Sequence, residues 1–207
     1  MRLFPRIDKT IQIIKKRAIP KERKVVLQPL VSYMIAQIKK EKPIKLNFIC
    51  THNSRRSQFS QIWAQVAGSY FNLPVESFSG GLEVTEFNSR AISALSQDGF
   101  EVKAIGDNNP IYELSYSKKE KPILAFSKVF DDQSNPKVDF AAIMTCDHAD
   151  ENCPFIPGSD TRIPIQFEDP KKFDETPLEN KMYSERSHEI ASELFYAFGQ
   201  VKKQVKE

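Results

Sequence analysis

Residues 44–70 decide the fold and read IKLNFICTHNSRRSQFSQIWAQVAGSY. The first part, up to Ile49, alternates apolar and polar residues before it turns apolar, which predicts a buried β-strand. From Ser57 onward, apolar residues recur at the spacing of one helix face, which predicts an amphipathic helix. Cys50 stands between the two, at the end of the strand. The stretch therefore predicts a strand, a tight loop and a helix, the repeating unit of α/β proteins.

Strand and helix patterns continue on both sides of this stretch. Successive βα units imply a doubly wound α/β domain with a roughly four-stranded parallel sheet flanked by helices. The other predicted strands of this series are 75–79, 100–105 and 139–145. Residues 1–42 predict a basic helical extension that precedes the α/β domain of residues 43–207. Residues 106–138 interrupt that domain and predict an inserted hairpin.

Charge is divided unevenly along the chain. Residues 1–42 hold 12 Lys and Arg against 3 Asp and Glu, a balance of +9, so the remainder carries −6 of the net +3. One interpretation is a basic arm for nucleic acid or an anionic membrane. The other is a helical cap on the main domain, because an apolar stripe runs along the segment, with Pro29 in the first turn of its helix. The stripe consists of Val31, Met34, Ile35 and Ile38.

The stripe and the lack of interleaved aromatic residues favour the cap, and argue against nucleic acid and membrane as partners. The 207 residues are 40% hydrophobic and 28% charged, which suits a soluble, folded chain of one domain. Three cysteines are too few for a disulfide-stapled secreted domain, and no apolar run approaches the roughly 18 residues of a membrane span. The N-terminus also lacks a signal-like apolar stretch. We therefore expect a cytoplasmic protein.

The loop after Cys50 has the spacing of an anion-binding site. Residues 50–57 read CTHNSRRS, and a loop of this length can curl its backbone N–H groups around a tetrahedral oxyanion while Arg56 closes the ring. The same groups favour a thiolate, which makes Cys50 a candidate nucleophile. A buried cysteine in a chance match is the plainer interpretation, and the strand before it and the helix after it argue against chance. The candidate substrate-binding residues are Thr51, His52, Asn53, Ser54, Arg55, Arg56 and Ser57.

This loop resembles the signature of the low-molecular-weight protein tyrosine phosphatases and of the thioredoxin-coupled arsenate reductases that share their fold. The positions that match are Cys50, Thr51, Asn53, Ser54, Arg56 and Ser57. Two positions depart from the signature: His52 replaces a glycine, and Arg55 replaces a frequent cysteine. The turn of residues 79–81, Ser-Gly-Gly, also resembles a turn of the family.

A second motif, CDHADENCP at residues 146–154, follows the last predicted strand. It resembles the redox segment of the thioredoxin-coupled arsenate reductases. Seven residues are about two helical turns, so Cys146 and Cys153 in a helix would lie roughly 10 Å apart. A disulfide needs Cα atoms within about 7 Å, and the spacing therefore predicts that this segment unwinds when a disulfide forms. Two inert thiols, or a zinc site that uses Cys146, His148 and Cys153, are the alternatives.

The resemblance implies a three-cysteine relay that reduces arsenate to arsenite. In that relay Cys50 attacks arsenate, Cys146 attacks Cys50, and Cys153 attacks Cys146, with thioredoxin as the reductant of the final disulfide. The resemblance implies no tightly bound cofactor and no resident metal, only an oxyanion such as arsenate, phosphate or sulfate in the loop. It leaves a monovalent cation open, because Asn53 and Ser79 fit the cation ligands of some reductases, whereas Gln61 stands where an acidic residue is expected.

Asp169-Pro170 stands where phosphatases of this fold carry a general acid. A phosphatase that uses Cys50, Arg56 and Asp169 is therefore the second functional hypothesis. Lys171 follows in place of the tyrosines of phosphotyrosine-selective members, which favours a small inorganic anion. A third hypothesis is a non-catalytic phosphate- or nucleic-acid-binding module whose basic N-terminal segment supplies the affinity.

Overall fold

The computed structural model describes residues 3–152 and 155–205. The seven strands among these residues are β1 (Ile44–Cys50), β2 (Val75–Gly81), β3 (Glu101–Ile105), β4 (Ile111–Ser115), β5 (Ile123–Ala125), β6 (Phe140–Met144) and β7 (Ser159–Pro164). The six α-helices are α1 (Pro5–Ile14), α2 (Lys21–Lys39), α3 (Arg56–Phe71), α4 (Ser89–Asp98), α5 (Asp147–Asn152) and α6 (Glu179–Gln204). A short 3-10 helix spans Pro170–Phe173. None of the described helices is both long and apolar enough to cross a lipid bilayer.

The central sheet is parallel and has the strand order β2-β1-β6-β7. Strand β1 lies inside it and is buried along nearly its whole length, as its apolar sequence predicts. Because Ile49 pairs with Met144, β1 and β6 end at the same edge of the sheet. The loops that follow these two strands are therefore neighbours, which places the segments after Cys50 and Met144 side by side.

Helices α3 and α6 pack against each other beside the central sheet. Trp63 of α3 is fully buried, makes an edge contact with Phe100 at 5.2 Å between ring centroids, and donates a hydrogen bond from Nε1 to Ser187 Oγ at 3.0 Å. This polar partner lets the indole N–H enter the core without losing a hydrogen bond.

The strand predicted at 100–105 does not join the parallel sheet. As β3 it pairs antiparallel with β4, and β4 pairs with β5, so the inserted hairpin gains a third strand. The fourth parallel strand is instead β7, whose sequence, SDTRIP, has no apolar alternation and buries only Ile163. An edge strand with one buried side chain lacks the apolar pattern that predicts a strand, so the sequence does not indicate β7.

The N-terminal segment packs into the same core as the α/β domain. Ile7, Ile11 and Ile14 of α1 are buried and belong to the hydrophobic cluster that contains the central sheet. Helix α2 begins before the predicted start, so Pro29 lies inside it instead of in its first turn.

Two ion pairs join this segment to α6. Arg23 binds Glu193 through two hydrogen bonds of 2.7 Å, and Glu193 is only 3% exposed. Arg17 binds Glu185 on the exposed surface. Basic residues of the extension are thus paired with acidic residues of the last helix.

The Arg23–Glu193 pair yields a test of how firmly the extension is held. Arg23→Met removes the partner of a buried carboxylate and should lower the free energy of unfolding by about 3 kcal/mol in urea denaturation at neutral pH. Arg17→Met removes the partner of an exposed carboxylate and should lower it by less than about 1 kcal/mol. Equal losses in the two variants would contradict the structural role of the buried pair.

Candidate active site

Cys50 lies at the carboxyl end of β1, and its side chain is buried with 4% exposure. Its Sγ is 3.0 Å from Ser57 Oγ, in the first turn of α3. The hydroxyl can donate a hydrogen bond to this sulfur, which is the candidate nucleophile.

Asn53 holds the loop in shape from inside. Its backbone has φ of 47°, in the left-handed region, which asparagine tolerates better than most residues. Its Nδ2 donates to Ser57 Oγ at 2.9 Å, and its Oδ1 accepts from the backbone N–H of Lys128 at 3.0 Å. The Asn53 carbonyl accepts from Gln58 Nε2 at 3.0 Å. The fully buried amide thus fixes the curvature of the loop and the position of Ser57 together.

Several donors around the loop are unpaired. The N–H groups of residues 51–55 donate no hydrogen bond to any residue that the structure describes. Arg56 Nε is buried and likewise has no partner in the described part of the chain. Buried N–H groups without acceptors are rare in proteins, and a curled set of them is the arrangement that binds a tetrahedral anion.

Arg56 reaches from the loop to the segment after β7. It donates to the Phe167 carbonyl at 3.1 Å and to Asp169 Oδ2 at 2.7 Å. A small cavity therefore joins the nucleophile, the loop and the candidate general acid. It is lined by Cys50, His52, Ser54, Arg55, Arg56 and Asp169.

Gly81, at the end of β2, allows the loop to approach closely. A Cβ at this position would lie 2.7 Å from the Asn53 backbone nitrogen and 2.8 Å from the Thr51 carbonyl oxygen. No side chain fits there without moving the backbone of the loop. The requirement explains the glycine of the predicted Ser-Gly-Gly turn.

Cys146 follows β6, and its side chain is 1% exposed. Its Sγ is 3.5 Å from Thr51 Oγ1, and Cys146 and Cys50 belong to one buried apolar cluster. Thr51 Oγ1 is also 3.3 Å from His148 Nδ1 in α5. The second cysteine thus contacts the loop that begins at the first. Cys153 lies outside the described residues.

Sequence comparison identifies relatives of this chain. It is 30% identical over 124 residues to an arsenate reductase of Brevibacillus brevis, a match that covers 59% of this chain and 74% of the relative. It is 26% identical over 132 residues to an arsenate reductase of Halalkalibacterium halodurans, covering 64% of this chain and 78% of that one. The chain belongs to the arsenate reductase family. No protein-family model matches the sequence.

Solved structures of the low-molecular-weight phosphatase superfamily share the fold. A phosphotyrosine phosphatase of Vibrio cholerae O395 aligns with a TM-score of 0.55 at 12% identity, over 79% of this chain and 99% of that one. An arsenate reductase in its phosphate-binding state aligns with a TM-score of 0.50 at 17% identity, over 76% and 98%. These likenesses confirm the predicted fold class.

The two loop positions that depart from the family signature have distinct surroundings. The backbone carbonyl of His52 accepts hydrogen bonds from Ser127 Oγ at 2.9 Å and Thr85 Oγ1 at 3.2 Å, while its imidazole lies 3.6 Å from Glu83. The His52 side chain is 44% exposed, so it leaves the interior of the loop free.

Arg55 points toward α6 instead of solvent. Its Nε donates to Tyr183 Oη at 2.8 Å, and Tyr183 donates to Asp174 Oδ1 at 2.8 Å. Burial raises the pKa of Tyr183 to about 12, so its hydroxyl stays a donor. This network connects the start of α3 to the start of α6, and the sequence pattern gave no sign of it because its members are far apart in the chain.

The three side chains proposed as ligands of a monovalent cation form hydrogen bonds within the protein. Ser79 Oγ donates to Gln61 Oε1 at 2.6 Å, Gln61 Nε2 donates to the Leu124 carbonyl at 3.1 Å, and Asn53 Oδ1 accepts from Lys128. Gln61 supplies a neutral amide where the resemblance implies a carboxylate, so the site lacks the negative charge that would attract a cation most strongly.

Zinc is a separate question. Residues 3–152 and 155–205 contain no group of three or more His, Cys, Asp or Glu side chains that could hold a metal ion. The zinc alternative, which includes Cys153, falls outside these ranges.

Gly81 yields a test of the anion loop. Gly81→Ala should weaken the affinity for inorganic phosphate about tenfold or more, about 1.4 kcal/mol, because the new methyl group displaces the loop backbone. Gly199→Ala, where a Cβ would make only an ordinary 3.5 Å contact with Phe71, is the control and should bind phosphate like wild type. Isothermal titration calorimetry measures both, and wild-type affinity in Gly81→Ala would refute the proposed position of the anion.

Proposed function

We propose that this protein reduces arsenate to arsenite through Cys50, Cys146 and Cys153, with thioredoxin as the reductant. The contact of Cys146 with Thr51 is the observation that carries the proposal, because it brings a second buried sulfur to the loop that begins at the nucleophile. The names of the relatives, arsenate reductase, support the same reaction. Hydrolysis through Cys50, Arg56 and Asp169 does not itself use this contact, although in a phosphatase the two other cysteines could protect the nucleophile from oxidation.

In the first step the loop binds arsenate. The unpaired N–H groups and Arg56 neutralise the anion, and the Cys50 thiolate attacks arsenic. One arsenate oxygen leaves as water after it takes up protons, and a bond joins sulfur to arsenic(V). Ser57 stabilises the thiolate before attack.

In the second step the Cys146 thiolate attacks the Cys50 sulfur. A Cys50–Cys146 disulfide forms, the sulfur–arsenic bond breaks, and its electron pair stays on arsenic, which leaves as arsenite. Arsenic gains two electrons and the two thiols lose two, so the step balances. The closeness of the two strand ends keeps the movement of Cys146 short.

In the third step Cys153 attacks Cys146, which frees Cys50 and leaves a Cys146–Cys153 disulfide. A dithiol of thioredoxin reduces that disulfide and restores the starting state. Because α5 occupies the residues between these two cysteines, it has to unwind for their sulfurs to meet.

Cysteine variants separate the relay from hydrolysis. Cys146→Ser and Cys153→Ser should each lower the steady-state rate of thioredoxin-coupled arsenate reduction to about one hundredth or less, since each breaks a disulfide exchange. If wild type hydrolyses an aryl phosphate, both variants should do so at a rate within about threefold of the wild-type rate. Cys50→Ser should abolish both activities. Unchanged arsenate reduction in either single variant would sink the relay.

A phosphomonoesterase is the second candidate, and the position of Asp169 favours it. Asp169 lines the small cavity with Cys50 and binds Arg56, so its carboxyl group is within reach of a leaving oxygen. In such a reaction Asp169 would protonate the leaving group and later activate water against the cysteinyl phosphate.

Asp169→Asn tests the second candidate because the amide keeps an acceptor for Arg56 but cannot transfer the proton. If the protein is a phosphatase, hydrolysis of an aryl phosphate should fall about a hundredfold. Asp174→Asn, which changes the carboxylate near Arg55, is the matched control. Equal hydrolysis rates in wild type and Asp169→Asn would exclude Asp169 as the general acid.

A further inference from the structure

Lys128 is a buried cation next to the anion loop. The residue is 5% exposed, and its ammonium group lies 4.4 Å from the centroid of the Phe126 ring. Within the described chain, the ammonium forms no hydrogen bond and no ion pair, and Asp132 acts on it only at longer range. Burial lowers the pKa of Lys128 to about 8, so the group is still largely protonated at neutral pH. A fixed positive charge is therefore held inside the protein at some energetic cost.

The segment that carries this lysine is attached to the loop at three points. The backbone N–H of Lys128 donates to Asn53 Oδ1, the Ser127 hydroxyl donates to the His52 carbonyl, and the Phe126 carbonyl accepts from Gln58 Nε2. Through Asn53 and then Ser57, hydrogen bonds continue to the sulfur of the nucleophile. The backbone that positions the ammonium thus also positions the thiol.

The Lys128 side chain shares a cavity with the residue that replaces the expected acidic cation ligand. The cavity has a volume of about 670 Å³, and both Gln61 and Lys128 line it. Gln61 is neutral and its side-chain oxygen accepts from Ser79, so position 61 offers the ammonium no counter-ion. Asn135 also lines this cavity, and its buried Oδ1 has no hydrogen-bond partner in the described part of the chain.

We propose that Lys128 is the built-in cation of this anion loop and acts as a positioning residue for Cys50 and the bound oxyanion, so that the protein needs no exchangeable monovalent cation. Its charge adds to the attraction of the neighbouring loop for an anion, and its backbone N–H holds the Asn53 side chain. The inference rests on the anion loop of the proposed function but not on arsenate reduction itself.

The first experiment measures phosphate binding by calorimetry in potassium chloride and in tetramethylammonium chloride at equal ionic strength. Wild type should bind phosphate equally in both salts, within about twofold. Lys128→Asp, which replaces the ammonium by a carboxylate, should bind phosphate weakly in tetramethylammonium and regain affinity in potassium. If wild type binds phosphate more than about fivefold more tightly in potassium chloride than in tetramethylammonium chloride, the proposal is overturned. This comparison needs no variant.

The second experiment follows the alkylation rate of Cys50 by iodoacetamide in a Cys146→Ser/Cys153→Ser background. Lys128→Met keeps the length of the side chain but removes its charge, and should slow alkylation at neutral pH about tenfold. Lys121→Met, an exposed lysine on the same cavity, is the control and should leave the rate unchanged. Lys128→Arg keeps the charge and should be alkylated at close to the wild-type rate. If the side chain only fills space, folded Lys128→Met should be alkylated at the wild-type rate.

If Lys128→Met does not fold, Lys128→Gln is used in the same assay with the same expectation. Alkylation of Cys50 does not depend on phosphate, so the two experiments are independent. If wild type does not bind phosphate, the proposed anion site is contradicted, and the alkylation rates still decide the role of Lys128. Wild-type alkylation rates in a folded, uncharged variant at position 128 would overturn the inference.

Discussion

Asn53 makes the hydrogen bonds on which the anion loop depends. The N–H groups of residues 51–55 make no hydrogen bonds within the described chain, so side chains have to hold the loop in shape. The Asn53 side chain imposes it by bridging Ser57 and the backbone of Lys128, while Gly81 lets β2 approach from the other side. The shape of the loop is therefore maintained by side-chain hydrogen bonds and by the close approach of β2, while its backbone N–H groups stay unpaired within the described chain.

The parallel sheet supplies the second constraint, since it brings two distant cysteines to one edge. Strands β1 and β6 are neighbours and run in the same direction, so Cys50 and Cys146 lie at the same edge of the sheet. Thr51 and Cys146 are in contact there, although they are 95 positions apart in the chain. A disulfide exchange between them needs a local change in loops, not a movement of the core. Helix α5, six residues long, is the element best suited to such a change, because short helices are marginal without packing.

The sequence predicted the parts of the molecule whose signals are local. Strand β1, its loop and α3 form one continuous pattern, and the predicted insertion of residues 106–138 contains the hairpin of β4 and β5. What it missed is set by distant contacts: β7 is an edge strand with one buried side chain, and β3 pairs with the insertion instead of the main sheet. The partners of Arg55 and the burial of Lys128 depend on packing between segments far apart in the chain, and no periodicity reports them.

The ion pairs between the N-terminal extension and α6 change the meaning of the uneven charge distribution. Arg17 and Arg23 meet Glu185 and Glu193 across one interface, so part of the +9 and the −6 cancel within the molecule. A small oxyanion that approaches by diffusion therefore meets a mixed surface without a strong overall field to steer it. In the proposed site, its capture would depend on the short-range field of a few N–H groups and Arg56, which acts only once the ion has reached the mouth of the loop.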